Sequence, residues 1–433
     1  MKTRKKKTSS KNSEIIENIC KTSGICLLFG HKKDTIKNFF EFNSFKYLAS
    51  PVKAIGNPSK SGFVKELHYL KNNYNSYAVL KSAADLSMGD NLAYEYIVGQ
   101  FINKLNNFYP CFIETYGIFH YKTMNTYDYS YSNKTIDPTI FPKLLKNIAV
   151  NKYNINLAFA CNEVTSIAIL IQSIQNILQI RKLIKKDTIA KNYNFVKKHL
   201  IYVLYQIYLP LSMMRNIFTH YDLHQDNILI YYLGMYKYIK MHYHYANKTT
   251  ISFNTCYIPK IIDYGRCYFN DKHENISTKD VFNKVCEIKE CDPNCGTDYG
   301  FGNITNVPKI NRLSAYKKNI SQDLEYLNII KNMIPTFPKY SDFDYFNKIL
   351  TLIKKTTITR VDPTAYWLVE NKQMGYPDNI YNIVDAQKLL EDLILDPESI
   401  SLNQTSFNEK YTKLGDLHIY TDGHKKMEFI PNV

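Results

Sequence analysis

Tryptophan, glycine and proline are scarce in this sequence, whose 433 residues include one Trp, 15 Gly and 15 Pro. Such low Gly and Pro contents exclude a collagen-like chain or a Pro/Gly-rich low-complexity protein. Nine cysteines are too few for a disulfide-stapled scaffold, which indicates reduced thiols in an intracellular protein. The most apolar stretches, 164–180 and 200–214, are interrupted by polar residues or are too short to span a bilayer. We therefore expect a soluble protein in the cytoplasm.

The chain is basic, with a formal net charge of +16, and 45% of its residues are hydrophobic, as in a globular protein. Most of the excess lysines are scattered singly along the chain. An enzyme that handles phosphates therefore explains the charge better than a nucleic-acid partner does, although a basic surface is typical of both. Residues 2–7 form one basic cluster, for which we favour a solvated tail over a nuclear-localisation signal.

The pattern of residues 63–105 predicts two strands followed by a helix. Residues 63–70 alternate between apolar and polar, 72–75 favour a turn, and 77–81 form the second strand. A helix is expected to begin at Asp90 and to continue to residue 105. Residues 121–155 are polar and are interpreted as an insertion.

The most informative stretch follows a long helix predicted over 192–218, in which Pro210 should cause a kink or an early end. It has the pattern His220-x-Asp222-Leu223-x-x-x-Asn227, followed by an apolar strand. Thirty-six residues after Asn227 a second apolar strand ends in Asp263-Tyr264-Gly265. Two carboxylates and an amide offer the hard oxygen atoms that Mg²⁺ prefers. Alone, each of these residues could simply cap a turn or end a strand.

These two motifs resemble the catalytic loop and the metal-binding D-F-G of protein kinases. The resemblance implies an α+β fold with two lobes, a β-rich small lobe and a mainly helical large lobe. It also implies ATP and Mg²⁺ as cofactors, Asp222 as the catalytic base, and Asn227 and Asp263 as metal ligands. We place a basic N-terminal segment at 1–40, the small lobe at 41–172 and the large lobe with a helical extension at 173–433.

In the small lobe, residues 78–81 resemble the strand whose lysine contacts the ATP phosphates, which assigns that role to Lys81. Glu95 is the glutamate available on the next helix to hold Lys81, at a separation of fourteen residues. The phosphate-covering glycine loop is matched at its end by Gly62 and Val64. Asn57 and Ser59 stand at its first two glycine positions, so the backbone there has less conformational freedom.

Three further positions refine the comparison. Tyr221 replaces the arginine of H-R-D, so control by a phosphorylated activation loop is not expected. His224 makes the loop similar to haspin-like kinases and to aminoglycoside and choline phosphotransferases. Asp323 matches the aspartate that braces the catalytic loop of the family through the loop's backbone. Divergent kinase-like proteins of large DNA viruses have a similar composition.

We therefore expect an ATP- and Mg²⁺-dependent phosphotransferase, with protein serine/threonine side chains as the favoured acceptors. A pseudokinase that acts as a binding scaffold and a small-molecule kinase of the aminoglycoside/choline type remain open. Cys286, Cys291 and Cys295 have no C-x-x-C spacing and are interpreted as ordinary thiols rather than a zinc site. The stretch from residue 339 to the end predicts helices, such as one over 386–395, and contains no motif.

Overall fold

A computed structural model describes residues 25–30, 32–59, 62–82, 92–121, 167–190, 194–281, 318–333 and 380–432. These residues combine helices with several antiparallel sheets, which confirms the α+β class. They fall into two compact units. The first unit lies within Met1–Asn106, Ile113–Gln175 and Lys279–Gly300, and the second lies within Asn107–Phe112, Asn176–Thr278 and Phe301–Val433. Among the described helices, none is both long and apolar enough to cross a membrane.

The first unit is built on a five-stranded sheet with the order β1-β2-β3-β5-β4. Its elements are α1 (Ile25–Leu28), α2 (Lys33–Phe40), a 3₁₀ turn (Phe42–Ser44), β1 (Leu48–Ser59), β2 (Gly62–Lys71), β3 (Tyr74–Ser82), α3 (Leu92–Leu105), β4 (Thr115–His120) and β5 (Ile167–Gln172). The predicted strands at 63–70 and 77–81 and the turn between them are confirmed. Asn72 and Asn73 both have positive φ, 51° and 67°, which asparagine tolerates better than most residues.

Alternation along the strands gives this sheet two different faces, because successive side chains point to opposite sides. One face carries Leu67, Tyr69 and Leu80, which pack with Phe40 and Phe42 in one hydrophobic cluster. The other face carries apolar residues that pack with Leu92 at the start of α3; they are Ile118, Ile167 and Ile169. The N-terminal segment separated at 1–40 by the sequence analysis therefore contributes α1, α2 and core side chains to this unit.

The second unit contains the longest buried helix together with several small sheets. Its elements are β6 (Ile177–Leu178), α4 (Ile180–Ala190), α5 (Asn194–Lys198), α6 (Leu200–Met213), β7 (Phe218–Thr219), β8 (Ile228–Tyr232), β9 (Lys237–His244), β10 (Thr250–Thr255), β11 (Tyr257–Ile261), β12 (Tyr268–Asp271), β13 (Ile276–Ser277), α7 (Glu325–Met333), α8 (Ile383–Leu395), α9 (Pro397–Ser406), β14 (Thr412–Tyr420) and β15 (Glu428–Pro431), with 3₁₀ turns at Tyr264–Arg266 and Gln322–Leu324.

The helix predicted over 192–218 is two helices, α5 and α6, which meet at His199. His199 has φ −131°, outside the helical range, so the helical path is interrupted there. Pro210 lies inside α6, and the helix ends three residues later at Met213. Almost every residue of α6 is buried, including polar Gln206, which donates to the carbonyl oxygens of Tyr202 and Tyr257 at 3.0 and 3.1 Å.

The C-terminal part of this unit contains strands that the sequence analysis did not predict. The helix predicted over 386–395 is confirmed within α8, which begins at the capping residue Asn382. Beyond it, β14 pairs in parallel with β9, and the sheet has the order β10-β9-β14-β15. The second unit therefore holds substantial β structure beside its helices. The predicted insertion, apart from Tyr121, lies outside the described residues, as does the predicted helix start at Asp90.

Candidate functional site

The loop between β7 and β8 is closed by the side chain and backbone of Asn227. Its side-chain Nδ2 donates to the backbone carbonyl oxygen of Asp222 at 3.0 Å. Its backbone N–H donates to the backbone carbonyl oxygen of His224, also at 3.0 Å. Asn227 is 6% exposed and His220 is fully buried, whereas the Asp222 side chain is 27% exposed. The loop is therefore anchored at both ends, and the carboxylate of Asp222 reaches the surface between them.

Backbone and side-chain hydrogen bonds join this loop to the segment that carries Asp263. Strands β8 and β11 pair antiparallel up to Ile228 and Ile261. One step further, the Ile262 N–H donates to the carbonyl oxygen of Asn227 at 3.0 Å. His220 Nε2 lies 2.9 Å from the Ile262 carbonyl oxygen, which can only accept, so the Nε2 of the imidazole carries the proton. The structure thus brings the predicted residues Asp222, Asn227 and Asp263 into one connected region of the second unit.

Two residues of this region have a left-handed backbone. Tyr221 has φ 65°, and Asp263 has φ 66° and ψ 75°. Such conformations cost non-glycine residues about 1–3 kcal/mol each and concentrate at active sites and ligand clamps. After Asp263 the chain turns sharply into the 3₁₀ turn, where Tyr264 is 2% exposed and its hydroxyl donates to the Ile261 carbonyl oxygen at 2.8 Å. Packing of Tyr264 therefore fixes the turn that follows the aspartate.

Asp323 braces the loop from a distant part of the chain, as the family resemblance implied. Its Oδ2 accepts the His220 N–H at 2.8 Å, and its Oδ1 accepts the Tyr221 N–H at 2.9 Å. Asp323 is 1% exposed, and this burial raises the pKa of its carboxyl group, whereas the two N–H groups favour the charged form. The paired acceptors hold the backbone of Tyr221 in its left-handed conformation.

The carboxylate of Asp222 lies between two nitrogen-bearing side chains. Nη1 of Arg266 is 3.4 Å from its Oδ2, and Nε2 of His224 is 3.8 Å from its Oδ1. Arg266 was not among the predicted site residues. Its position directly after Asp263-Tyr264-Gly265 is the sequence signal that could have indicated its contact with Asp222. Asp226, which precedes Asn227 in the loop, has a side chain that is 70% exposed.

In the first unit, Lys81 forms an ion pair with Glu95, as predicted. Its Nζ is 2.7 Å from Oε2 of Glu95, and the two side chains are 18% and 4% exposed. Lys81 lies on β3 directly opposite Val64 on β2 and Ile169 on β5, so the three side chains share one face of the sheet. This is the face against which the N-terminal end of α3 packs. The ion pair therefore fixes α3, which carries Glu95, to the sheet.

Gly62 begins β2 and pairs with Ser59 at the end of the β1–β2 hairpin. Its φ of 119° is one that residues with a side chain rarely adopt, which explains a glycine at this position. Asn57, which replaces a glycine of the family pattern, lies in β1. The hairpin and Val64 are therefore both present in the first unit, together with Lys81.

The residues assigned to phosphates and those assigned to metal and acceptor lie in separate units. Gly62, Val64, Lys81 and Glu95 belong to the first unit, and Asp222, Asn227 and Asp263 belong to the second. The three cysteines weighed as a zinc site lie outside the described residues.

A metal site in the second unit can be compared with the donors available there. Within the described part of the chain, no group of three or more His, Cys, Asp or Glu residues could hold a metal ion. Mg²⁺ usually binds one or two protein carboxylates and takes its other ligands from phosphates and water. The amide of Asn227 and the carboxylate of Asp263, joined through Ile262, are hard oxygen donors of the type this ion needs. The residues present therefore fit Mg²⁺ bound together with a nucleotide.

No protein-family model matches the sequence, and no curated protein is significantly similar to it.

Proposed function

We propose that this protein is an ATP- and Mg²⁺-dependent phosphotransferase of the protein-kinase-like type, with serine and threonine side chains of proteins as the favoured acceptors. The observation that carries the proposal is the geometry of the second unit. Asp323 braces the loop of Asp222 and Asn227, and the Ile262 backbone connects that loop to Asp263. Distant residues converge here on two adjacent turns with left-handed backbones, as expected of a built site.

The first unit supports the same function through a different set of contacts. Its order of strands and helix, β1-β2-β3-α3, is the order expected of a kinase small lobe. The Lys81–Glu95 ion pair holds the lysine side chain in a defined position, and Val64 lies beside it on the same face. In the proposed function Lys81 contacts the phosphates of ATP, and the β1–β2 hairpin covers them.

The proposed chemistry divides between the residues of the second unit. Asp222 accepts a hydrogen bond from the acceptor hydroxyl and orients it for attack, because its carboxylate is partly exposed at the middle of an anchored loop. Asn227 and Asp263 hold Mg²⁺, which when bound neutralises charge on the phosphates. Arg266 is the cation nearest to the Asp222 carboxylate, with its Nη1 3.4 Å from Oδ2.

Nucleotide binding tests the metal assignment first. We expect wild-type protein to bind ATP in a Mg²⁺-dependent manner in a calorimetric titration. Asp263→Asn should abolish the Mg²⁺ dependence while the fold persists, because asparagine tolerates a left-handed backbone. Asp226→Asn is the matched control, since this exposed aspartate lies in the loop region without an assigned role. An unaltered Mg²⁺ response of Asp263→Asn would contradict the assignment.

Turnover tests the role of Asp222. A kinase assay with a generic basic protein as acceptor should show that Asp222→Asn lowers the rate by roughly two or more orders of magnitude, the usual contribution of a general base. ATP affinity should stay nearly unchanged, because the acceptor and not the nucleotide contacts this carboxylate. Asp226→Asn should retain the wild-type rate. Equal rates for Asp222→Asn and wild type would refute the catalytic role.

A binding scaffold of the pseudokinase type is the second candidate, and one contact favours it. Arg266 occupies one oxygen of the Asp222 carboxylate, which an acceptor hydroxyl must approach. The scarcity of glycine in the β1–β2 hairpin favours the same alternative. Binding of ATP without transfer to any acceptor, in wild type and in Arg266→Met alike, would select the scaffold.

A further inference from the structure

Helix α4 of the second unit carries four cations on one exposed face. They are Arg181, Lys182, Lys185 and Lys186. With 3.6 residues per turn, these positions lie within an arc of about 140° around the helix. They span about 8 Å along its axis, at 1.5 Å per residue. None of the four forms an ion pair within the described residues, so this face, which we call the basic face, has an uncompensated positive charge.

The opposite side of α4 is committed to the interior of the unit. Ile180 and Ile184 are 0% and 2% exposed. Asp187, the acidic residue of the helix, is 7% exposed, and its Oδ2 accepts the Val196 N–H at 3.0 Å. Asp187 therefore points away from the basic face and is engaged with α5. Asp187 also attracts Lys186 electrostatically, so within its own helix it offsets at most one of the four charges of the basic face.

One apolar residue lies at the C-terminal end of the basic face. Ile189 is 72% exposed and borders, with the stems of Lys182, Lys185 and Lys186, a shallow open depression of about 320 Å³. Membrane-surface helices insert a whole apolar side between lipid chains. In α4 that side is already buried in the protein, and a single exposed isoleucine does not replace it. The chemistry of the face thus fits a hydrated polyanion better than a lipid surface.

We propose that the basic face of α4 binds the phosphate backbone of a nucleic acid without sequence preference. Three of its four cations are lysines, which act as compact point charges rather than as the planar forks that read base edges. Adjacent cations on a short helix match a regular row of phosphates, and counterion release supplies the affinity. This proposal uses no residue of the phosphotransfer site and does not depend on that function.

Salt dependence measures the number of phosphate contacts directly. Fluorescence anisotropy with the full chain and a labelled 20-nucleotide single-stranded RNA should give a slope of log K against log salt of about −3. This value follows from four contacts at about −0.7 each. Affinity should fall by about 50-fold between 50 and 200 mM salt. Lys185→Gln/Lys186→Gln should weaken binding at least tenfold at 50 mM salt and reduce the slope by about 1.4.

A control of equal charge change separates this face from the general basicity of the chain. Lys410→Gln/Lys426→Gln removes two exposed lysines elsewhere in the second unit and should leave both affinity and slope nearly unchanged. A second RNA of different sequence should bind with similar affinity. Equal losses in the two double variants, or no loss in Lys185→Gln/Lys186→Gln, would overturn the proposal. So would tighter α4-dependent binding to a poly-glutamate peptide or to vesicles of anionic phospholipid than to RNA.

Discussion

Replacing Asp323 should release the loop that carries Asp222. The carboxylate of Asp323 accepts two backbone N–H groups, from His220 and Tyr221, in a fully buried environment. In Asp323→Ala both N–H groups lose their acceptor, and each buried donor left unsatisfied costs about 1–3 kcal/mol. The left-handed backbone of Tyr221 also loses the contact that holds it. We expect the local opening free energy to fall by about 2–6 kcal/mol.

Hydrogen exchange measures this loss at the two amides concerned. Because 1.4 kcal/mol corresponds to a factor of ten, exchange at His220 and Tyr221 should accelerate by roughly 30- to 20,000-fold in Asp323→Ala. Mass spectrometry of peptides covering residues 218–223 would detect this change. Asp323→Asn keeps one acceptor oxygen and should give an intermediate rate.

The matched control is another buried aspartate of the same unit. Asp385 is 1% exposed and pairs with Asn382 at the start of α8, without contact to the loop. Asp385→Ala should accelerate amide exchange in α8. In this variant the peptide over residues 218–223 should exchange more slowly than it does in Asp323→Ala. If Asp323→Ala leaves both loop amides within threefold of wild type in a folded protein, the bracing role assigned to Asp323 is refuted.

Three further predictions concern stability. Gly99→Ala should destabilise the first unit by about 1–3 kcal/mol in urea unfolding, because the added Cβ would clash with the Thr115 side chain; an unchanged midpoint would contradict this packing. Burial raises the pKa of Glu391 to about 7, so the folded protein loses stability as pH rises from 4.5 through 7. The free energy of unfolding of Glu391→Gln, measured relative to wild type, should therefore be higher at pH 8 than at pH 4, and parallel pH profiles would contradict this. Burial lowers the pKa of His244 and His418, whose rings are hydrogen-bonded to each other at 2.9 Å. Protonation therefore favours the unfolded state, and amide hydrogen exchange in β14, corrected for intrinsic rates, should become faster as pH falls below 6.5. His418→Asn should weaken this pH dependence, and an equal dependence in the variant would refute the prediction.

Local patterns in the sequence were sufficient to predict the elements that depend on neighbouring residues. The β2–β3 hairpin follows from the alternation of apolar side chains and from two asparagines that tolerate positive φ. The loop around Asp222 and Asn227 follows from short-range hydrogen bonds between residues five or fewer positions apart. The ion pair of Lys81 with Glu95 was predicted from the resemblance to kinases, which implies a glutamate on the next helix, where Glu95 is the available carboxylate.

Elements that depend on distant parts of the chain were harder to predict. Strand β14 pairs with β9, where His418 lies opposite His242, 418 − 242 = 176 positions earlier, and the sequence of β14 gives no sign of that partner. A parallel pair requires a long crossover, so no local turn links β9 to β14. The break at His199 was missed because apolar periodicity continues across it, whereas helix direction is decided by packing in the interior.

The sequence alone identified the residues to which the proposed function assigns phosphates, metal and acceptor, because residue identity and spacing are local properties. Tertiary structure decided how those groups are held. It brings Asp323 to the loop from about 100 residues away, places Arg266 against Asp222, and maintains left-handed backbones at Tyr221 and Asp263. The left-handed backbones cost free energy locally, and the one at Tyr221 is held by the Asp323 carboxylate. The resemblance to kinases indicated the role of Asp323, whereas the left-handed backbones and the contact of Arg266 with Asp222 were not predicted because they depend on packing in the folded chain.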